Sequence, residues 1–301
     1  MNKTSRDILA LSLVPGLGPR RIAALVDKVP DTEEIFSMPD LWLAEVLGSR
    51  FKGADELRSV RQSEEYAEEL EYIESENITT LCFKDEGYPD TLRNIYDPPP
   101  IIFYKGEIKT EDINAIAIVG SRRSSLYGDQ MAENFSQGLV EKGVTIISGL
   151  ARGIDLAAHK GALSSGGRTL AVMGSGFRHI YPPEASGIVP QICERGAVIT
   201  EYPSKTAPSR ISFPRRNRII SALCKGVVVV EAAEKSGALI TVDFALEQGK
   251  EVFAVPGRAD ISTSRGTNAL IQNGAKLVTC AEDVLEEIDI SSEKIAITGI
   301  V

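Results

Sequence analysis

Histidine is almost missing: His159 and His179 are the two in 301 residues. A histidine-rich metal site is thereby excluded, and a histidine-dependent triad has few places to sit. Cysteine is scarce too, at positions 82, 193, 224 and 280. No two are close enough for a CxxC redox or zinc motif, so they read as reduced thiols in or near the core. No apolar run approaches the ~20 residues that a membrane-spanning helix needs. The start, Met1 to Asp7, lacks the apolar segment of a secretory signal. A cytoplasmic protein with no membrane partner, no metal and no cofactor is expected. What remains is ordinary globular usage, 43% hydrophobic and 25% charged, enough for one large domain or two modest ones.

Acidic residues are unevenly spread along the chain. The net charge is −9, which taken whole argues against nucleic acid. Residues 1–78 carry net −7 and residues 282–301 net −5, but residues 79–281 carry net +3. From Tyr202 to Val230 there are six basic residues and no acid. Charges act over about 8–10 Å in salt, so a local basic surface can take phosphates on an acidic protein.

The chain to about Asn77 reads as helical. Ile8, Leu9, Leu11 and Leu13 have helical spacing, Val14-Pro15-Gly16-Leu17-Gly18-Pro19 breaks it, and Arg20 to Val29 resumes it. Ser63 to Ser75 is an acidic helix with Tyr66, Leu70 and Ile73 inward. Ile78–Phe83 and Ile101–Tyr104 read as strands around the stiff Asp97-Pro98-Pro99-Pro100 loop. From Ile113 onward buried strands alternate with amphipathic helices: 113–119, 144–148, 169–173, 197–200, 227–231, 251–255 and 276–279. Continuous apolar strands such as Val227 to Val230 are covered on both faces, which means a parallel sheet. Such sheets bind ligands at the strand C-termini.

The loops at that edge carry the motifs. Gly120-Ser121-Arg122-Arg123 follows the first buried strand, and Gly120 permits a tight turn. The helix after it reads as an anion seat. It is not GxGxxG, so a dinucleotide is weakly indicated. Gly149 to Gly153, with Arg152, follows the second strand. Asp155 and His159 are four apart on one helical face and can pair; with Ser148 they would make a triad, although a GxSxG elbow is absent. Glu184 reads as an acid placed for the helix dipole. Phe213-Pro214-Arg215-Arg216-Asn217-Arg218 opens a helix with Pro214 at its first position. Arginines there oppose the dipole, and no carboxylate within the stretch compensates, which points to a phosphate ligand. Lys235-Ser236-Gly237 opens another helix at the same edge. Val14 to Ala23 has a helix–hairpin–helix shape that can hold one phosphate on backbone N–H groups.

Taken together, Gly120-Ser121-Arg122, Ser148 to His159, Phe213 to Ser221 and Lys235 to Thr241 resemble the DprA/Smf family, the DNA-processing proteins of natural transformation. The resemblance runs to about residue 288. It implies an extended Rossmann-like parallel sheet, an α/β fold, at 78–288, preceded by a SAM-like helical domain at 1–77. It also implies single-stranded DNA binding without an enzymatic reaction, a homodimer, and delivery of the strand to the RecA recombinase. Many relatives add a winged-helix-like domain, which the tail at 289–301 is not expected to supply.

The expected DNA-binding set is Gly120, Ser121, Arg122, Arg123, Gly149, Arg152, Gly153, Lys205, Phe213, Arg215, Arg216, Asn217, Arg218, Lys235, Ser236 and Gly237. Arg122, Arg216 and Arg218 lead it. Contacts mainly to phosphate predict weak sequence preference and a steep salt dependence. Duplex binding is left open. The alternatives are a Rossmann-fold nucleotide phosphoribohydrolase or a small-nucleotide-binding protein. The first is disfavoured because Glu234 to Thr241 has one glycine and no glutamate follows before Glu247.

Overall fold

Nine strands in the computed structural model, which describes residues 1–290, form one sheet. They are β1 Thr79–Cys82, β2 Ile101–Gly106, β3 Ala115–Val119, β4 Thr145–Ser148, β5 Thr169–Val172, β6 Ala197–Thr200, β7 Gly226–Val229, β8 Glu251–Ala254 and β9 Lys276–Leu277. Their order across the sheet is β1-β2-β6-β5-β4-β3-β7-β8-β9. Every pairing from β6 to β9 is parallel, and β1 and β2 add an antiparallel hairpin at the β6 edge. β3 starts two residues later than expected because Thr110–Asn114 winds as a 3-10 helix.

The sheet is apolar throughout because both faces are covered. Successive side chains of a strand point to opposite faces. Accordingly Ala115, Ala117, Val119, Val227 and Val229 enter one core. Ile116, Ile118, Val228 and Val230 enter the other, against helices Leu126–Glu141 and Ile154–Ser164. Strand order reverses between β3 and β7, and in a doubly wound sheet that point opens a crevice at the strand C-termini.

Residues 3–75 supply five α-helices: Lys3–Leu13, Pro19–Val26, Asp40–Leu47, Ala54–Ser59 and Glu64–Ser75. Gly16, at φ +81°, lets the chain reverse before Pro19 opens the second of them. Ile8, Leu11, Leu25 and Ile35 belong to the same apolar cluster as β1, β2 and the adjoining sheet face. Glu69, buried on the acidic helix, accepts from the N–H of Ser204 at 2.8 Å and from its hydroxyl at 2.5 Å. Residues 291–301, most of the expected tail, lie outside the described residues. No described helix is long and apolar enough to cross a membrane.

Candidate functional site

The crevice between β3 and β7 is a cleft of about 740 Å³. Its first wall is the loop after β3. A Cβ on Gly120 would lie 2.6 Å from Ile154 Cγ1 and 2.9 Å from the Glu231 carbonyl, so only glycine lets the loop approach this closely. Gly153, at φ +73°, sits directly against the Ser121 carbonyl, and Ile154 N–H donates to that carbonyl at 3.3 Å. The loops after β3 and β4 are thus fastened to each other.

The expected anion seat at the next helix is already filled. Ser125 donates from its N–H to Glu231 Oε2 at 2.8 Å and from its hydroxyl to Oε1 at 2.5 Å. A buried carboxylate from the end of β7 therefore takes the place at this helix start. What the loop still presents to the cleft is the pair of cations Arg122 and Arg123. Both are exposed, and among the described residues neither forms an ion pair.

The arginine-rich helix is Ser212–Ala222. It starts two residues before Pro214, with Ile211 at its N-cap, and Ser209 and Ser212 brace its entry: each backbone N–H donates to the other's hydroxyl at 3.0 Å. Pro214 still falls in the first turn, where its missing N–H has no intrahelical partner to lose. The three arginines then diverge. Arg215 turns toward the N-terminal helices, where a Cβ on Gly18 would lie 3.6 Å from its Nη2. Arg216, 3% exposed, lies at the cleft floor. It donates to the carbonyls of Gly149 and Val172, and from Nε to Asn217 Oδ1 at 3.1 Å. Burial pulls its pKa down to about 10, with Asp155 acting against that shift.

Arg218 overturns its expected role. It is 1% exposed and faces away from the cleft. Its Nη2 meets Glu201 Oε2 at 2.6 Å, its Nη1 meets Oε1 at 3.1 Å, and its Nε meets Asp97 Oδ2 at 3.0 Å. Burial works to lower its pKa, but the two carboxylates outweigh that and raise it. The basic stretch is therefore compensated at this position from outside itself, and Arg218 belongs to a structural ion-pair network. Lys205 is likewise paired, with Glu68 of the acidic helix, and Arg152 with Glu184 at 2.7 Å.

Of the expected residues, Gly120, Ser121, Arg122, Arg123, Phe213, Arg216, Asn217, Ser236 and Gly237 line the cleft; Gly149, Arg152, Gly153, Lys205, Arg215, Arg218 and Lys235 do not. Ser236 caps helix Gly237–Glu247, accepting from Ala238 N–H at 3.3 Å, and Asn217 Nδ2 donates to the Gly237 carbonyl at 3.3 Å. Lys235 is exposed beside this turn with no ion pair among the described residues. Arg210 and Tyr181 also line the cleft and were not singled out. Arg210 is exposed and, among the described residues, without an ion pair; being the other cation of the acid-free stretch near Phe213, it had a signal. The Tyr181 ring lies 5.5 Å from that of Phe213, and the Arg122 guanidinium lies 4.8 Å from the Phe213 ring centroid.

The triad does not assemble. Ser148 is fully buried and donates to the Ile118 carbonyl at 2.6 Å. His159 Nδ1 meets Thr169 Oγ1 at 2.7 Å rather than Asp155. Thr169 gives its own proton to the Ile146 carbonyl at 2.9 Å, so Nδ1 must carry the imidazole proton. Among the described residues lining the cleft the one carboxylate is Asp155. It is buried, and burial raises its pKa against the opposing charge of Arg216. Glu247 borders a different groove.

Comparison with known proteins agrees with this architecture. Residues 79–289 match the family model of DNA recombination-mediator protein A. The DNA processing protein DprA of Bacillus subtilis is 42% identical over 71% of this chain and 72% of its own length. That of Streptococcus pneumoniae is 44% identical over 72% and 76%. The solved structure of the pneumococcal protein superposes with a TM-score of 0.83 at 37% identity, covering 96% of this chain and 99% of the other. A Helicobacter pylori DNA processing protein A, described for its single-stranded DNA binding mode, superposes with a TM-score of 0.62 at 28% identity, over 69% and 94%. This chain belongs to the DNA recombination-mediator protein A family.

Proposed function

We propose that the cleft between β3 and β7 binds single-stranded DNA. The observation that carries this is the set of exposed arginines at its rim, Arg122, Arg123 and Arg210, none ion-paired among the described residues, around the rings of Phe213 and Tyr181. Cations that track a backbone beside aromatic faces on which bases stack are the general means of holding a single strand without reading its sequence. The Helicobacter pylori relative's single-stranded DNA binding supports the same assignment.

The protein acts, in this proposal, as a non-enzymatic mediator. It holds and protects incoming strands as a cytoplasmic homodimer and passes them to RecA. These parts rest on family membership. A dimer sets two clefts on one particle and raises apparent affinity through effective concentration.

Fluorescence anisotropy with a labelled oligothymidylate across a salt series tests the cleft. The unaltered protein should bind with a steep salt dependence, and Arg122→Ala with Arg123→Ala should lower the slope by about 0.7 per lost phosphate contact. Salt-insensitive binding, or unchanged affinity in the double variant, would refute the assignment.

A further inference from the structure

The hairpin turn of the N-terminal helices takes no part in the cleft. It forms one wall of a second groove, of about 550 Å³, whose other wall is the outer side of helix Ser212–Ala222. Pro214 lines both cavities, so they adjoin at that residue. Arg20, Arg21 and Arg215 stand in this groove, and among the described residues none is ion-paired. The groove's carboxylate, Asp97, is already engaged by Arg218 at 3.0 Å. Arg20 lies 4.6 Å over the ring of Tyr96, which is 81% exposed. Tyr96 borders the neighbouring groove that shares Asp97 and Phe244 with this one, so a cation and an aromatic face again lie side by side, as Arg122 and Phe213 do in the cleft.

Local structure fixes these groups in place. Arg21 donates to the Gly16 carbonyl at 2.8 Å and so holds the turn. Arg20 is left exposed in the first turn of helix Pro19–Val26, which contains no acidic residue there. A cation at that position opposes the helix dipole, and an incoming anion relieves the conflict. Ile211, 80% exposed beside Pro214, offers an apolar step between the two cavities.

We propose that the groove is a second station on one continuous path. A single strand leaving the cleft crosses Pro214 and Ile211, sets its next phosphates against Arg20 and Arg215, and stacks a base on Tyr96. This rests on the cleft's binding single-stranded DNA. The N-terminal helices then act as a direct contributor to strand length and affinity.

The test is anisotropy with oligothymidylates of about 6 and about 20 nucleotides, the shorter one filling the cleft alone. Arg20→Ala combined with Arg215→Ala should weaken the longer strand about tenfold and lower its salt slope by about 0.7 per contact, leaving the shorter strand unchanged. Tyr96→Ala should weaken the longer strand only. Arg122→Ala should weaken both. If the double variant and Tyr96→Ala bind both lengths like the unaltered protein while Arg122→Ala weakens both, the second station is refuted and the cleft stands. If Arg122→Ala changes neither, the cleft assignment fails and takes this one with it. Should the double variant melt early, Arg20→Ala and Tyr96→Ala, both at exposed positions, carry the same comparison.

Discussion

The Arg122 guanidinium rests over the Phe213 ring, 4.8 Å from its centroid. The contact joins the loop after β3 to the start of helix Ser212–Ala222 and leaves a cation and an aromatic face side by side at the cleft rim. Replacing Phe213 by alanine should weaken single-strand binding by about 1–3 kcal/mol, the range for losing one base–aromatic stack. Phe213→Trp should retain most of the affinity. Anisotropy on both variants, with thermal melts to confirm folding, checks this.

Arg218 and Arg122 should separate cleanly in experiment. Removing Arg218 strands Glu201 in the interior, so Arg218→Ala should lower stability by about 3–5 kcal/mol in denaturant titration. Strand affinity of the folded fraction should change little. Arg122→Ala should do the reverse. Strand affinity lost in proportion to Arg218 alone, with stability intact, would put the guanidinium in the cleft after all.

Gly149 has no room for a side chain. A Cβ there would lie 2.5 Å from Arg216 Nη2 and 2.6 Å from Asp155 Oδ2. Gly149→Ala should push Arg216 off the carbonyls of Gly149 and Val172 and cost about 1–3 kcal/mol of stability. Because Arg216 lines the cleft floor, strand binding should weaken with it. Chemical denaturation and anisotropy on the same variant measure both effects.

His159 makes stability depend on pH. Burial, reinforced by Arg216, holds its pKa down at about 3, against an ordinary value of 6.5. The folded protein keeps the ring neutral while the unfolded chain takes up a proton below 6.5. The contribution is therefore complete above that pH and is lost as pH falls toward 3, by up to about 1.4 kcal/mol per pH unit. His159→Gln should flatten the pH dependence of denaturation midpoints in that window. A slope unchanged by the substitution would count against this account.

The sheet was legible because strands buried on both faces must be apolar throughout, and Val227–Val230 can be little else. The cleft was legible for the same reason: loops at the C-terminal edge follow from strand order. The partners of the cations were not. Glu201 stands one residue before the acid-free stretch, Asp97 belongs to a proline-rich loop, and Glu68 reaches Lys205 across 137 positions. A linear count of charge cannot see carboxylates that the fold brings in from elsewhere. The Asp155–His159 pair failed similarly: helical spacing allows it, but Thr169 on β5 offers the imidazole a partner in the core.

Glu231 completes the loop after β3 from within the protein, so in the proposed role no strand is needed to order it. Since the helix start at Ser125 is satisfied from within, nothing there has to be organised at the moment of capture. Little freedom is forfeited on association, and encounter is then governed by diffusion and charge. In the proposed role, the rim arginines then set how fast a strand lands and how steeply that rate falls with salt, while the Phe213 and Tyr181 rings set how long it stays.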